Sequence, residues 1–452
     1  MKKIFLLPIA VLLLTVYSCQ PKSETQKAER CHVIHPEWTR DAVIYEVNIR
    51  QYTPEGTFAA FQKQLPQLKE LGVDILWFMP VHPISELNRK GSLGSYYAVA
   101  DYKGVNPEFG TPGDFKTLVE KAHESGFKVI IDWVANHTGW DNKWVTGYPK
   151  FYVSDSLGVP VSPYDWTDVA KLNYENVEMR NAMIDAMKYW LTDFDIDGFR
   201  CDVAHEVPVD FWETARVELD KVKPVFMLAE ADKAELLDYA FSADYGWELM
   251  HIMNEIAKGA KNADDLYNYL LKNDTVICPD ALKMNFITNH DENSWNGTEY
   301  ERLGAGVEAF AVLTYTLNGM PLIYTGQETG LKKRLEFFEK DPVPSWDKNQ
   351  VFAFYQRLNR LKHGHPALKA GVEGGKIERI NTSNNKNLFF FNRKHGGEEI
   401  IVLLNLSGAT LPVVVESELP ENNYVDCFTQ AKVDKFPQSM KSWEYRILVR
   451  QN

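Results

Sequence analysis

Asp132-Trp133-Val134-Ala135-Asn136-His137 closes an apolar run that starts just after Lys128, and three further segments repeat the design. They are Gly198-Phe199-Arg200-Cys201-Asp202, Leu228-Ala229-Glu230 and Phe286-Ile287-Thr288-Asn289-His290-Asp291. Each apolar run reads as a buried strand, and each chemically active residue falls at or just past its C-terminal end. In a barrel of parallel strands that end is the face on which active sites sit. The pattern therefore brings carboxylates, an arginine and histidines to one mouth.

Outward from these segments, strands alternate with helices. Phe58, Phe61, Leu65 and Leu68 recur at helical spacing, which predicts a helix over 58–71 stopped by Gly72. Further helices are expected over 107–124, 177–194, 211–222 and 306–317. Strands are expected over 42–49, 73–81, 128–134, 198–203, 225–229, 286–288 and 321–324. Such alternation predicts a parallel sheet with helical crossovers. About eight repeats fit between Val43 and Leu361, which favours a closed (β/α)8 TIM barrel over residues 39–365. The stretch 138–173, rich in Trp, Tyr, Gly, Pro and Asp, breaks the rhythm after the third strand. It reads as a short inserted loop domain over the mouth. From residue 366 to 452 short strands alternate with Gly, Asn and Ser turns, which predicts a C-terminal all-β sandwich.

The start of the chain reads as an export signal. Lys2 and Lys3 precede the apolar stretch Ile4 to Val16, which is shorter than the ~20 residues of a membrane span. It ends in Val16-Tyr17-Ser18-Cys19, which resembles a bacterial lipobox. That resemblance implies a signal peptide over 1–19 and a lipidated Cys19 that anchors the protein to a bacterial membrane, at the outer membrane or cell surface. A periplasmic or secreted protein is the alternative. Residues 20–38 read as a polar, flexible tether. The 452 residues carry a net charge of −13, which argues against nucleic acid as a partner, since such proteins present basic patches. Cys31, Cys201, Cys278 and Cys427 lack the spacing of a zinc site, and Cys201 is expected as a buried thiol.

Asp202, Glu230 and Asp291 follow three different strands. Cleaving a glycosidic bond with retention needs two carboxyl groups ~5 Å apart, one a nucleophile and one an acid/base. Their surroundings must drive their pKa values apart. Arg200, two residues before Asp202, shares its face of the strand and would hold it ionised.

These segments resemble the signature regions of the α-amylase family of retaining glycoside hydrolases. The resemblance implies that Asp202 is the nucleophile, Glu230 the general acid/base and Asp291 the transition-state stabiliser. It implies that His137 and His290 bond hydroxyls of the sugar being cleaved, and that Arg200 is the family arginine. The stretch from Gly94 to Tyr102 resembles the family's Gly-Tyr-x-x-x-Asp-Tyr region, which makes Tyr97 the stacking platform. Val169-Ala170-Lys171-Leu172-Asn173 is similar to the Pro-Lys-Leu-Asn motif of neopullulanase-like members. The stretch Gly319 to Gly330 is similar to the eighth strand region. One departure stands out: His205 and Glu206 occupy positions where many α-amylases have Lys-His. The segment is closer to the neopullulanase and cyclodextrinase group, and both residues are candidate sugar contacts. Asn136 matches a family calcium ligand, but the other ligands cannot be placed in the short insert, so calcium stays open. His82, Trp133, Trp140, Trp144 and Trp166 are candidates for extra sugar contacts or for packing, and Arg334 for a distal sugar. The function this implies is hydrolysis of α-1,4-glucosidic bonds in starch-derived glucans, maltooligosaccharides or cyclodextrins. An α-glucan transglycosylase and a non-catalytic surface glucan-binding protein are the alternatives, and the oligomeric state is open.

Overall fold

The computed structural model describes residues 32–416 and 423–450. The signal sequence, Cys19 and most of the tether lie outside the described residues.

Eight parallel strands close into a barrel: β1 (Ile44–Val47), β2 (Ile75–Phe78), β3 (Lys128–Val134), β4 (Gly198–Asp202), β5 (Phe226–Ala229), β6 (Ala243–Tyr245), β7 (Leu282–Asn285) and β8 (Met320–Tyr324). Strand β8 returns to β1, with Ile44 opposite Leu322. Apart from Lys128, every strand residue is buried. Helices cover the outside of the barrel and side chains fill its inside, which explains the near-continuous apolar runs. Gly198 opens β4 at a point of close approach. A Cβ there would stand 1.9 Å from the Phe226 carbonyl oxygen, so only glycine lets β4 lie against β5.

Two expectations need correction, and one strand was not anticipated. The helix expected over 58–71 is two helices, Phe58–Gln62 and Leu65–Leu71. Pro66 sits in the first turn of the second, where its missing N–H is harmless; inside one continuous helix it would break a hydrogen bond. The seventh strand is Leu282–Asn285, not 286–288. Its polar residues hid it: Lys283 is buried because it pairs with Asp244 at 2.9 Å and Asp232 at 2.8 Å. Strand β6, only three residues long, has no apolar run to reveal it.

The insert after β3 carries a small antiparallel hairpin, with His137 opposite Lys171 and Gly139 opposite Val169. At the other end of the chain, an antiparallel six-stranded sheet packs beside the barrel, with a two-stranded sheet against it. Strict alternation explains its place. Phe389, Phe391, Ile400, Val402, Leu404 and Ile447 join the barrel's core. Leu388, Phe390, Ile401, Leu403 and Leu448 point the other way and form a second core with Tyr424 and Met440.

The first described residues run along the end of the barrel from which β6 and β7 start. Arg216 donates to the Ile34 carbonyl at 2.8 Å, and Arg40 pairs with Asp280. Cys278 is disulfide-bonded. Cys201, buried in β4, and Cys427, half-buried in the C-terminal domain, are free thiols.

Candidate active site

Register places the charges. Strands β3 and β4 pair with Asp132 opposite Arg200 and Val134 opposite Asp202, and Glu230 follows β5 directly. Arg200 is fully buried and acts as the hub. Its Nη1 donates to Asp132 Oδ1 at 2.8 Å and to Asp202 Oδ1 at 2.9 Å, and its Nε donates to the Tyr245 hydroxyl at 3.0 Å. Its Nη2 approaches Glu230 Oε1 at 3.1 Å without the angle of a hydrogen bond. The rings of Trp77, Tyr97 and Tyr245 surround the guanidinium at 5.1–5.7 Å, a cation–π setting that tolerates a buried charge.

Asp202 and Glu230 flank the same guanidinium, Asp202 Oδ1 at 2.9 Å from Nη1 and Glu230 Oε1 at 3.1 Å from Nη2. Burial pushes Asp202 well above the usual carboxylate range, the charge of Glu230 adds to this, and Arg200 opposes it. Burial acts on Glu230 too, but Arg200 and the Val203 N–H hold it below its ordinary value. That N–H reaches Glu230 Oε2 at 2.7 Å. Val203 makes this contact from a left-handed conformation (φ +43°), a costly one for a β-branched residue.

The opposite rim is held by His290 and Asp291. The Tyr97 hydroxyl lies 3.1 Å from Asp132 Oδ2 and 2.8 Å from His290 Nε2. His290 Nδ1 lies 2.5 Å from Glu46 Oε1, and its Nε2 3.3 Å from Asp291 Oδ2, so an acid on each side favours the imidazolium. Burial alone would lower its pKa, but Asp291 and Glu46 raise it to about 9. His137 is the opposite case: burial lowers it to about 4, and its Nδ1 receives the Asn136 amide at 3.3 Å, so it is neutral.

Tyr97, His137, Asp202, His205, Glu230, His290 and Asp291 all line one cleft of about 990 Å³, with Arg200 beneath its floor. Glu206 lies outside the lining and pairs with Lys171 at 3.7 Å. Trp166 joins the cleft wall. His82 and Trp133 pack together in the core, Trp144 packs on Phe151, and Trp140 donates to the Thr167 carbonyl. Arg334 is tied to Glu301 on the surface.

The backbone carbonyl of Asn136 accepts from Leu172 N, and its side-chain amide lies 3.3 Å from His137 Nδ1. Among the described residues no group of three or more His, Cys, Asp or Glu is placed to hold a metal.

Sequence reasoning missed several members of the site. Asp132 and Glu46 are acids inside apolar strands, at an even spacing from inward-facing neighbours, and that oddity was their signal. Lys90, Asp168, Trp247, Trp295, Phe337 and Phe338 come from loops and helix starts that no periodicity aims at the mouth.

Residues 26–154 and 163–344 match the alpha-amylase family, described as the alpha amylase catalytic domain. Alpha-amylase MalA of Haloarcula japonica is 29% identical over 355 residues, which cover 75% of this chain and 51% of MalA, so the match spans about half of that relative. Neopullulanase 2 of Thermoactinomyces vulgaris is 25% identical over 465 residues, covering 88% of this chain and 75% of its own length. The structure of the noncanonic maltogenic alpha-amylase AmyB from Thermotoga neapolitana superposes with a TM-score of 0.83 at 30% identity, covering 91% of this chain and 98% of AmyB. With barrel, cleft and family signature in agreement, the chain belongs to the alpha-amylase family.

Proposed function

We propose that this protein is a retaining glycoside hydrolase that cleaves α-1,4-glucosidic bonds in starch-derived glucans, maltooligosaccharides or cyclodextrins. The convergence of Asp202 and Glu230 on the one Arg200 guanidinium, at 2.9 and 3.1 Å in a single cleft, carries the reading. An inverting enzyme needs its two carboxyl groups roughly 6.5–9.5 Å apart to seat a water between them, whereas a retaining pair is closer. Asp202 attacks the anomeric carbon, and Glu230 protonates the departing oxygen. Glu230 then takes a proton from the incoming water, which releases the sugar from Asp202.

Burial and the charge of Glu230 raise Asp202, and Arg200 opposes them. A sugar on Tyr97 brings a carbon that gains positive charge as the bond breaks. That charge favours ionised Asp202, and Glu230 supplies the proton that the leaving oxygen needs. Asp132, Asp202, Glu230, Asp291 and Glu46 outnumber the cations Arg200 and His290, so the site as a whole favours a cationic transition state. Asp291, held by His290 at 3.3 Å, faces that charge from the other rim.

The test is Asp202→Asn, assayed by reducing sugar released from maltooligosaccharides. Turnover should fall by at least on the order of 10³-fold with an unchanged melting temperature. A folded variant that keeps near-normal turnover refutes the assignment. Profiles on amylose, pullulan and cyclodextrin rank the substrates.

A further inference from the structure

We propose that the cleft is closed beyond the sugar resting on Tyr97, so that the enzyme works from the non-reducing ends of glucan chains, with the Lys90–Asp168 ion pair as the strap that closes it. The inference rests on the reading above, which sets the polarity. The leaving group lies on the side of Glu230, so the rest of the chain toward its non-reducing end must pass beyond Tyr97.

What stands beyond Tyr97 is a wall. Phe337 lies parallel to the Tyr97 ring (12°, centroids 6.2 Å apart) and carries Trp295 and Phe338 against it. The turn at 88–94, from the loop after β2, is bonded to the loop that holds these phenylalanines. Leu93 N donates to the Phe338 carbonyl at 3.1 Å, and Ser92 N donates to Glu339 Oε1 at 2.8 Å. Buried Arg50 pins both loops by donating to the carbonyls of Leu93, Gly94 and Phe337 at 3.1–3.3 Å. The fit is tight: a Cβ on Gly91 would meet Phe338 Cβ at 2.4 Å.

On its other flank the same turn reaches the insert. Lys90 Nζ lies 2.9 Å from Asp168 Oδ1, and both side chains line the cleft. Insert, turn and β8 loop thus join in one rim. A chain running through the cleft would have to displace it, whereas a chain end fits beneath it. Lys90 is the part of the rim that a substitution can remove without opening a core: its side chain is 38% exposed, while Arg50 is sealed at 1%.

The experiment compares 4-nitrophenyl maltoheptaoside with the same compound carrying an ethylidene block on its non-reducing end. Wild type should cleave the blocked compound at least about tenfold more slowly, because the block adds bulk where the rim leaves no room. Lys90→Ala and, separately, Asp168→Asn should raise the blocked-to-free ratio several-fold, and Lys90→Arg should restore it. Equal wild-type rates on the two compounds overturn the proposal. So does a ratio that neither variant moves in protein with a normal melting temperature. Failure of wild type on the free compound strikes the hydrolase reading instead.

Discussion

Arg200 under the mouth and Arg393 at the junction of barrel and C-terminal sheet are both sealed from water, yet their partners differ in kind. Arg393 donates only to backbone carbonyls, those of Gly375, Thr316, Leu317 and Lys369, at 2.8–3.1 Å. With no carboxylate beside it, burial pushes its pKa down to about 9. Arg200 suffers the same burial, but Asp132 and Glu230 drive it well above the usual range. Dipoles of the main chain suffice to glue two domains. A ring of ionisable acids does more than glue, since each acid's proton then depends on its neighbours. The contrast separates a structural buried charge from a chemical one by its partners, where burial alone cannot.

The largest effect that sharpens this contrast is expected at Arg200. Arg200→Lys keeps a charge but loses the planar fork that serves Asp132 and Asp202 from Nη1 while reaching Tyr245 from Nε and Glu230 from Nη2. The turnover number should fall on the order of 10²-fold or more. A variant close to wild type would make Arg200 a structural residue like Arg393. Next, Arg393→Met should lower stability by roughly 3 kcal/mol, because several buried carbonyls lose their donor. Urea unfolding measures this, and the turnover number of the folded fraction should not change. A catalytic defect without a stability loss would erase the distinction.

The smallest effect is expected at Glu46. His290 titrates near 9 because Asp291 and Glu46 hold its proton. A raised histidine pKa contributes stability that is complete below the unfolded value of 6.5 and is lost as pH climbs through about 9. The alkaline limb of the activity profile should follow the same proton. Glu46→Gln removes one of the two charges and should move that limb to lower pH by about one unit. An unmoved limb means that His290 does not need its second proton.

Much of this arrangement could be read from sequence because barrel geometry turns strand ends into a shared site. Arg200 and Asp202 at a spacing of two, and Glu230 just past an apolar run, needed only that rule. Strand β7 escaped it since Lys283 and Asn285 broke its apolar pattern, and their long-range partners became visible only in the fold. Glu46 and Asp132 sat in view within apolar strands, but nothing local says that one meets His290 and the other Tyr97. The rim was the least legible part. Lys90, Asp168 and Phe338 lie on three loops far apart in sequence, and contacts of that kind leave no periodic trace.

Among the described residues two free thiols sit one in each domain, and this has a practical consequence. Burial pushes Cys201 well above its ordinary range and Cys427 up to about 11, so neither offers much thiolate while its domain is shut. An alkylating reagent reaches Cys201 only when the strand bearing Asp202 is exposed, and reaches Cys427 when the outer sheet loosens. The native chain thus carries its own pair of clocks, which tell by the order of their modification which half of the molecule comes apart first.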